Sequence, residues 1–231
     1  MTLQSREKIA EFYDSYAQSQ KRTGINIRHR MIIKKLKSAG LQSNSVVLEI
    51  GCGIGTLTSL LIKNCKHLTA VDISPESIQQ AKNFLQKHSN IAFAVTDMSD
   101  FQSPHQFDFI VLPDVLEHIP VEQHPMLFEK MKSLLKENGK ICIHLPDPYA
   151  LDFVRKEKPE LLQIIDQSIY SDILVRNIYT NQLTLHKLER YCLQKELPDY
   201  QWIEIIHRPN YQAFPNKVYS RALIDQLKVR L

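Results

Sequence analysis

Apolar positions recur with two different periods along this chain, and the places where the period changes divide it. Over 5–20, Ile9, Phe12, Tyr13 and Tyr16 fall at helical spacing, and a second helix is predicted over 25–39, stopped by Gly40. From residue 46 onward short apolar runs alternate with helical stretches. Strands are predicted at 46–50, 68–71, 91–95, 107–112 and 140–145, and helices at 55–64, 75–87 and 121–136. Ser74-Pro75-Glu76 reads as an N-cap, a first-turn proline and an acidic first turn, and Glu137-Asn138-Gly139 closes a helix with residues that tolerate positive φ. Strands alternating with helices of this length imply right-handed crossovers and a mostly parallel sheet with helices on both faces.

Beyond residue 146 the alternation stops. Pro146, Pro148 and Pro159 surround the apolar pairs at 161–162 and 164–165, the pattern of a helical cap inserted after the fifth strand. A helix over 184–195 is expected next, then strands at 201–207 and 218–222 that form an antiparallel hairpin at the sheet edge. The expected architecture is a Rossmann-like α/β fold of about seven strands in a single domain, 1–231. Its parts are N-terminal lid helices (1–40), a core (41–145), the cap (146–181) and a closing helix with strands (182–231).

Composition narrows this little. Of 231 residues 43% are hydrophobic and 23% charged, which excludes disordered and fibrous classes. The net charge of +4 is concentrated at the end of the chain, where Lys217, Arg221, Lys228 and Arg230 face one acidic residue, Asp225. The rest is nearly neutral, so no nucleic-acid surface is expected. No apolar run is long enough to span a bilayer and the N-terminus lacks a signal-peptide core, so a cytoplasmic protein is expected, as monomer or homodimer. Cys52, Cys65, Cys142 and Cys192 are widely spaced without a C-x-x-C pair, and no metal site is expected.

The chemistry is concentrated at one turn. Three of the six glycines, Gly51, Gly53 and Gly55, fall in Val46-Val47-Leu48-Glu49-Ile50-Gly51-Cys52-Gly53-Ile54-Gly55-Thr56, between a strand and a helix, where backbone can approach a ligand with no Cβ in the way. The spacing G-x-G-x-G is neither the dinucleotide fingerprint G-x-G-x-x-G nor a phosphate loop ending in G-K-[ST]. NAD and ATP are thereby disfavoured.

These residues resemble the first motif of the class I S-adenosylmethionine-dependent methyltransferases, and the resemblance extends over roughly 46–145 with the later motifs in order. It implies S-adenosyl-L-methionine as cofactor, with S-adenosyl-L-homocysteine as product. It also implies roles for the matching residues. Glu49 corresponds to the acidic residue near the methionine ammonium, Gly51, Cys52, Gly53 and Gly55 to the turn, and Asp72, followed by Ile73, to the ribose acceptor. Asp97 and Met98 would meet the adenine, and Leu112 and Pro113 the methionine end. Leu112-Pro113-Asp114-Val115 departs from the N/D-P-P-Y/F/W tetrapeptide of base-methylating enzymes. The following Leu116-Glu117-His118-Ile119 is similar to small-molecule enzymes such as the quinone-biosynthesis O-methyltransferases.

Methyl transfer to a protonated acceptor needs a base, and imidazole suits the task by its pKa. His118, at the end of the fourth strand, is the first candidate, with His144, Asp147 and His29 as alternatives on the acceptor side. Tyr13 and Tyr16 are candidate lid residues. The expected activity is methyl transfer to a small organic molecule, most readily at oxygen, with nitrogen or carbon possible. The rivals are a protein or tRNA methyltransferase and a non-catalytic cofactor-binding module.

Overall fold

The computed structural model describes residues 6–193 and 199–208, with the side chains of 6 and 16–23 outside the description. The strand expected over 218–222 lies outside the described residues, as does the Tyr16 side chain.

Two helices, α1 (Arg6–Thr23) and α2 (Ile27–Ser38), precede the sheet. α2 starts where the Asn26 side chain accepts from the His29 backbone N–H while His29 Nδ1 accepts from the Asn26 N–H, a reciprocal cap that closes two orphan donors. The first strand, β1 (Val46–Ile50), is buried on both faces, as a central parallel strand must be. It pairs in parallel with β2 (His67–Asp72) and with β4 (Phe107–Pro113), while β3 (Ile91–Val95) forms one sheet edge beside β2. Between them lie α3 (Thr58–Leu61) and α4 (Pro75–Phe84), the latter with Ser74 as its N-cap accepting from Ser77 N–H at 2.9 Å.

After α5 (His124–Leu134), β5 (Leu135–Pro146) continues the parallel sheet; Glu137-Asn138-Gly139, expected to close the helix, lies within β5, where Asn138 takes φ 60°. The cap follows as α6 (Pro148–Glu157), a single 3-10 turn at Pro159–Leu161 and α7 (Ser171–Thr180). The chain then returns through β6 (Thr184–Tyr191) and β7 (Tyr200–Ile206), giving the seven-stranded order β3-β2-β1-β4-β5-β7-β6. Among the described strands β7 runs opposite to the rest, pairing antiparallel with β5 and β6. The strand connections diverge between β1 and β4, which places a crevice at their carboxyl ends.

Three further local expectations are corrected. Residues 184–191 form a strand rather than a helix. Leu185 and Leu188 mimic helical spacing because a bulge between Leu185 and Lys187 shifts the register, so both residues pack toward the core three positions apart. The closing hairpin is accordingly β6 with β7. The helix expected over 55–64 has a single regular turn, since Asn64 Nδ2 donates to the Leu60 carbonyl at 2.7 Å and competes with helix continuation.

Two apolar layers hold the sheet. One gathers Phe107, Phe128, Met131, Ile143 and Ile178 beneath α5 and α7; the other gathers Ile32, Leu36, Leu61, Cys142 and Trp202 beneath α2 and α3. Trp202 is fully buried and donates from Nε1 to Glu204 Oε1 at 2.9 Å, so its polar atom is satisfied within the core.

Candidate active site

A cavity of about 1060 Å³ opens at the carboxyl ends of β1 and β4, and α1, α2 and the cap wall it. Its floor is the turn after β1. Gly51 has φ 78°, and a Cβ there would sit 2.2 Å from Val115 Cγ2, so only glycine lets the loop pass under residue 115. The N–H groups of Gly51 and Cys52 both donate to the Val71 carbonyl, at 2.8 and 3.0 Å, which fixes the turn against β2.

Asp72 ends β2 and braces the same turn. Its Oδ2 accepts from Gly53 N–H at 2.8 Å and its Oδ1 from Ser74 N–H at 2.9 Å. Burial raises its pKa against the opposing pull of these backbone bonds. Each carboxylate oxygen keeps lone-pair capacity for a further donor. Beyond β3, Thr96 Oγ1 accepts from Met98 N–H at 2.9 Å, holding Met98 at φ 74°, and Asp97 Oδ1 accepts from Ser99 N–H at 3.0 Å. Thr96, Asp97, Met98 and Ser99 all line the cavity.

Glu49 is the outlying group of this end. It is wholly buried and lines the cavity, yet neither carboxylate oxygen has a hydrogen-bond partner among the described residues. Burial, with Asp72 nearby, pushes its pKa up to about 8 despite Thr58. A buried carboxylate left unpaired at this cost marks the place of a cationic or donor-rich ligand group.

The opposite end is assembled from distant segments. Asp114, at φ 55°, is gripped by Arg28 at 2.7 Å and by His144 Nδ1 at 2.6 Å. Burial would raise the Asp114 pKa, but His144 and Arg28 outweigh it and hold the carboxyl low. His118 Nδ1 meets the Ile165 carbonyl at 2.6 Å and Asp166 Oδ1 at 3.0 Å, while its Nε2 is 3.8 Å from Glu117 Oε1. Burial lowers its pKa, but Glu117, Asp166 and the Ile165 carbonyl reverse the sign and take it up to about 9. Glu117 is pushed up to about 8, by burial first.

These positions sort the sequence candidates. Glu49, Gly51, Cys52, Gly53, Asp72, Ile73, Asp97, Met98, Pro113, His118, His29 and Tyr13 line the cavity. Gly55 and Leu112 do not: Gly55 lets α4 approach, its would-be Cβ lying 3.2 Å from Ala81 Cβ, and Leu112 belongs to the core. His144 is fully buried behind Asp114, with Nε2 against the Tyr191 hydroxyl at 2.5 Å. Asp147 is spent on structure, capping α6 through Tyr149 N–H and pairing with Arg190 Nε at 2.5 Å.

His118 meets the cap through Nδ1, at the Ile165 carbonyl and Asp166, and so ties the cap to the cavity rim. His29 is held near pKa 4, by burial first and by Arg28 next, and its Nδ1 accepts the α2 cap bond, which leaves the ring proton on Nε2. Asp114, Glu117, Gln163 and Asp166 were not singled out in sequence as site residues. Glu117 was in plain view beside His118.

Comparison with known proteins accords with this geometry. Residues 47–139 match the family described as "Methyltransferase domain". Over those residues the chain is similar to that family. Nodulation protein S of Rhizobium tropici is 33% identical over 92 residues, 40% of this chain and 38% of that protein. The ubiquinone biosynthesis O-methyltransferase of Xanthomonas euvesicatoria pv. vesicatoria is 28% identical over 138 residues, 57% of this chain and 55% of that one. The chain thus spans about two fifths to just over half the length of these relatives. The crystal structure of the N-methyltransferase NodS from Bradyrhizobium japonicum WM9 with S-adenosyl-L-homocysteine superposes with a TM-score of 0.64 at 24% identity, covering 78% of this chain and 85% of that one. That likeness is one of fold.

The residues fit the cofactor that this fold implies. The glycine turn offers backbone without Cβ, Asp72 and Asp97 offer carboxylates to hydroxyl and amino donors, and Glu49 offers two unpartnered oxygens to a cationic group. S-adenosylmethionine carries a ribose, an adenine amino group and cationic sulfonium and ammonium centres. Among the described residues no cluster suited to a metal ion occurs, and no helix is long and apolar enough to cross a membrane.

Proposed function

We propose that the protein is an S-adenosylmethionine-dependent methyltransferase acting on a small organic molecule. The observation that carries this reading is Glu49: a fully buried carboxylate with two unpartnered oxygens, opening onto the cavity beside the glycine turn. Asp72 takes the ribose hydroxyls, Asp97 and Met98 the adenine, and Glu49 faces the cationic methionine end. When bound, S-adenosylmethionine supplies a methyl group already activated by its sulfonium.

The chain's own residues then orient the acceptor and manage its proton. Tyr13, with its ring centroid 6.1 Å from that of His118, and the cap segment around Asp166 enclose the acceptor end. Asp14 fastens α1 over this site by accepting from Glu76 N–H at 3.2 Å and from the Ser74 hydroxyl at 2.5 Å. A cavity of about 1060 Å³ with a mostly apolar lining suits a small acceptor better than a polymer. As to the atom methylated, the relatives divide, one being named an O-methyltransferase and another titled an N-methyltransferase.

The test is calorimetric titration with S-adenosylmethionine and S-adenosylhomocysteine, followed by mass spectrometry of a metabolite extract incubated with the protein and isotopically labelled donor. Micromolar binding of both and label in a small product are expected. Failure to bind either would overturn the reading, and label confined to protein or RNA would replace its substrate class.

A further inference from the structure

Glu49 is accounted for by the cofactor, but the cavity holds a second buried carboxylate that the cofactor does not use. Glu117 is 1% exposed and lines the cavity, and its Oε2 has no hydrogen-bond partner among the described residues. The ion pair that it does make, from Oε1 to His118 Nε2, is long at 3.8 Å, and that imidazolium is held more closely by Asp166 at 3.0 Å. Arg28, the other cation of this wall, is taken by Asp114 at 2.7 Å. The neighbouring cations are thus paired more closely with other carboxylates, and the lone pairs of Glu117 Oε2 stay unspent.

Further unpaired groups stand nearby in the same lining. Gln163 Oε1, on the cap, is a buried acceptor without a partner, and Arg28 Nε, at the start of α2, is a buried donor without one. The Glu117 backbone is itself pinned to the cap, its carbonyl accepting from Gln167 N–H at 2.9 Å. Position 117 is therefore rigid, and its burial without a partner costs free energy that a ligand can return. Two acceptors on this wall call for a ligand group with several N–H donors, and the Arg28 donor calls for an oxygen on the same ligand.

We propose that the methyl acceptor is an amine that also carries an oxygen function, with Glu117 holding the ammonium and taking its proton. The inference rests on the methyl-donor reading of the cavity. The acceptor enters as R–NH3+ opposite the Glu117 carboxylate. One proton passes from nitrogen to Glu117 Oε2, and the freed nitrogen lone pair forms the new C–N bond as the donor's C–S bond breaks. The bonding pair stays on sulfur, which becomes a neutral thioether. The product leaves as a protonated secondary amine, and the proton on Glu117 is released to solvent. Net, one proton is lost per turnover.

Glu117 suits this exchange because burial, with Asp114 and Asp166, raises its pKa to about 8, against the pull of His118. The other groups around it are Arg28, His144 behind Asp114, and the phenols of Tyr13 and Tyr200. A base poised this close to neutrality accepts a proton from an ammonium and returns it without a large penalty either way.

The test uses the full chain with labelled methyl donor and a panel of amino alcohols and amino acids, each matched to the alcohol or carboxylic acid lacking the amine, together with a metabolite extract. Label on amine nitrogen is expected. Glu117→Gln should lower kcat/KM for the amine at least 100-fold and abolish the rise of kcat/KM with pH near 8, with S-adenosylhomocysteine affinity within threefold of the parent. Glu117→Asp, which keeps a carboxylate, should recover part of the rate and pH dependence if the loss is chemical rather than a folding defect. Label on oxygen or carbon, or no methylated amine from panel or extract while S-adenosylhomocysteine binds, would overturn the inference and leave the cofactor reading standing. Failure to bind S-adenosylhomocysteine would instead sink the reading beneath it.

Discussion

The two ends of the cavity are built in different ways. At the cofactor end each functional group sits at the carboxyl end of a parallel strand, and its partners lie within a few residues or on the adjacent strand: Asp72 with Ser74 and Gly53, Thr96 with Met98, Gly51 with Val71. At the acceptor end the partners come from segments tens of residues apart, His118 with Ile165 and Asp166, and Arg28 with Asp114. The first end is specified by local backbone geometry and is stiff. The second is specified by side-chain pairs between distant segments, so its shape depends on whether those pairs hold. Substitutions at the first end should therefore act on cofactor affinity and folding, and those at the second on acceptor handling and pH response.

The largest effect is expected at Gly51. Alanine there would strain a backbone at φ 78° and drive a Cβ to 2.2 Å from the stiff Val115 side chain. The two penalties together are about 2–5 kcal/mol, read as a lower denaturant midpoint and at least a tenfold loss of S-adenosylhomocysteine affinity. Adding Val115→Ala separates them, since it relieves the overlap and leaves the backbone term. A double variant no better than the single would show that backbone strain accounts for the whole loss.

Asp72→Ala comes next. It removes the acceptor for two ligand hydroxyls and should weaken S-adenosylmethionine binding by about 1.5–3 kcal/mol in calorimetry. Because Gly53 and Ser74 N–H also lose their partner, the free protein should melt lower as well. Unchanged affinity would remove Asp72 from the cofactor site and blur the distinction between the two ends.

The same contrast explains what could be read from the chain. The glycine turn, Asp72 and Asp97 were legible because strand, turn and helix signals bracket them and no distant residue is needed to give them their geometry. The cap was legible only as an interruption. His118 was chosen for an intrinsic pKa that Glu117 and Asp166, the latter 48 positions onward, raise; His144 and Asp147 were chosen for their place at the end of β5, and tertiary partners engage both. The strand β6 was read as a helix because a bulge supplies the spacing that usually signals one.

At the acceptor end His118 gives the pH prediction. Its pKa is about 9 in the folded protein, above the ordinary 6.5, so its bonds to the cap stabilise the fold fully below pH 6.5 and are lost as pH climbs through 9. Glu49 and Glu117 reinforce that trend: with folded pKa values near 8, they ionise at a cost in the free protein between pH 4.5 and 8. The melting midpoint should therefore fall between pH 7 and pH 9.5, with a smaller fall in His118→Ala. That variant should raise KM for the acceptor more than it lowers kcat, with cofactor affinity unchanged. A large kcat loss at constant KM would instead restore His118 to the proton-transfer role.

The smallest effect tests whether the cap is held independently of the cofactor end. Asp147 is fully buried and caps α6 through Tyr149 N–H while pairing with Arg190 from β6. Asp147→Asn keeps an oxygen for the cap but loses the charge, whereas Asp147→Ala loses both. The alanine variant forfeits a helix cap, which costs about 1 kcal/mol, and leaves Arg190, itself half exposed, free to turn to solvent. Hydrogen exchange should quicken over 148–157 and leave 46–56 unchanged, with S-adenosylhomocysteine affinity equal to that of the parent. Faster exchange at the glycine turn would mean that the cap and the cofactor floor unfold as one unit, and the division drawn between the two ends would fail.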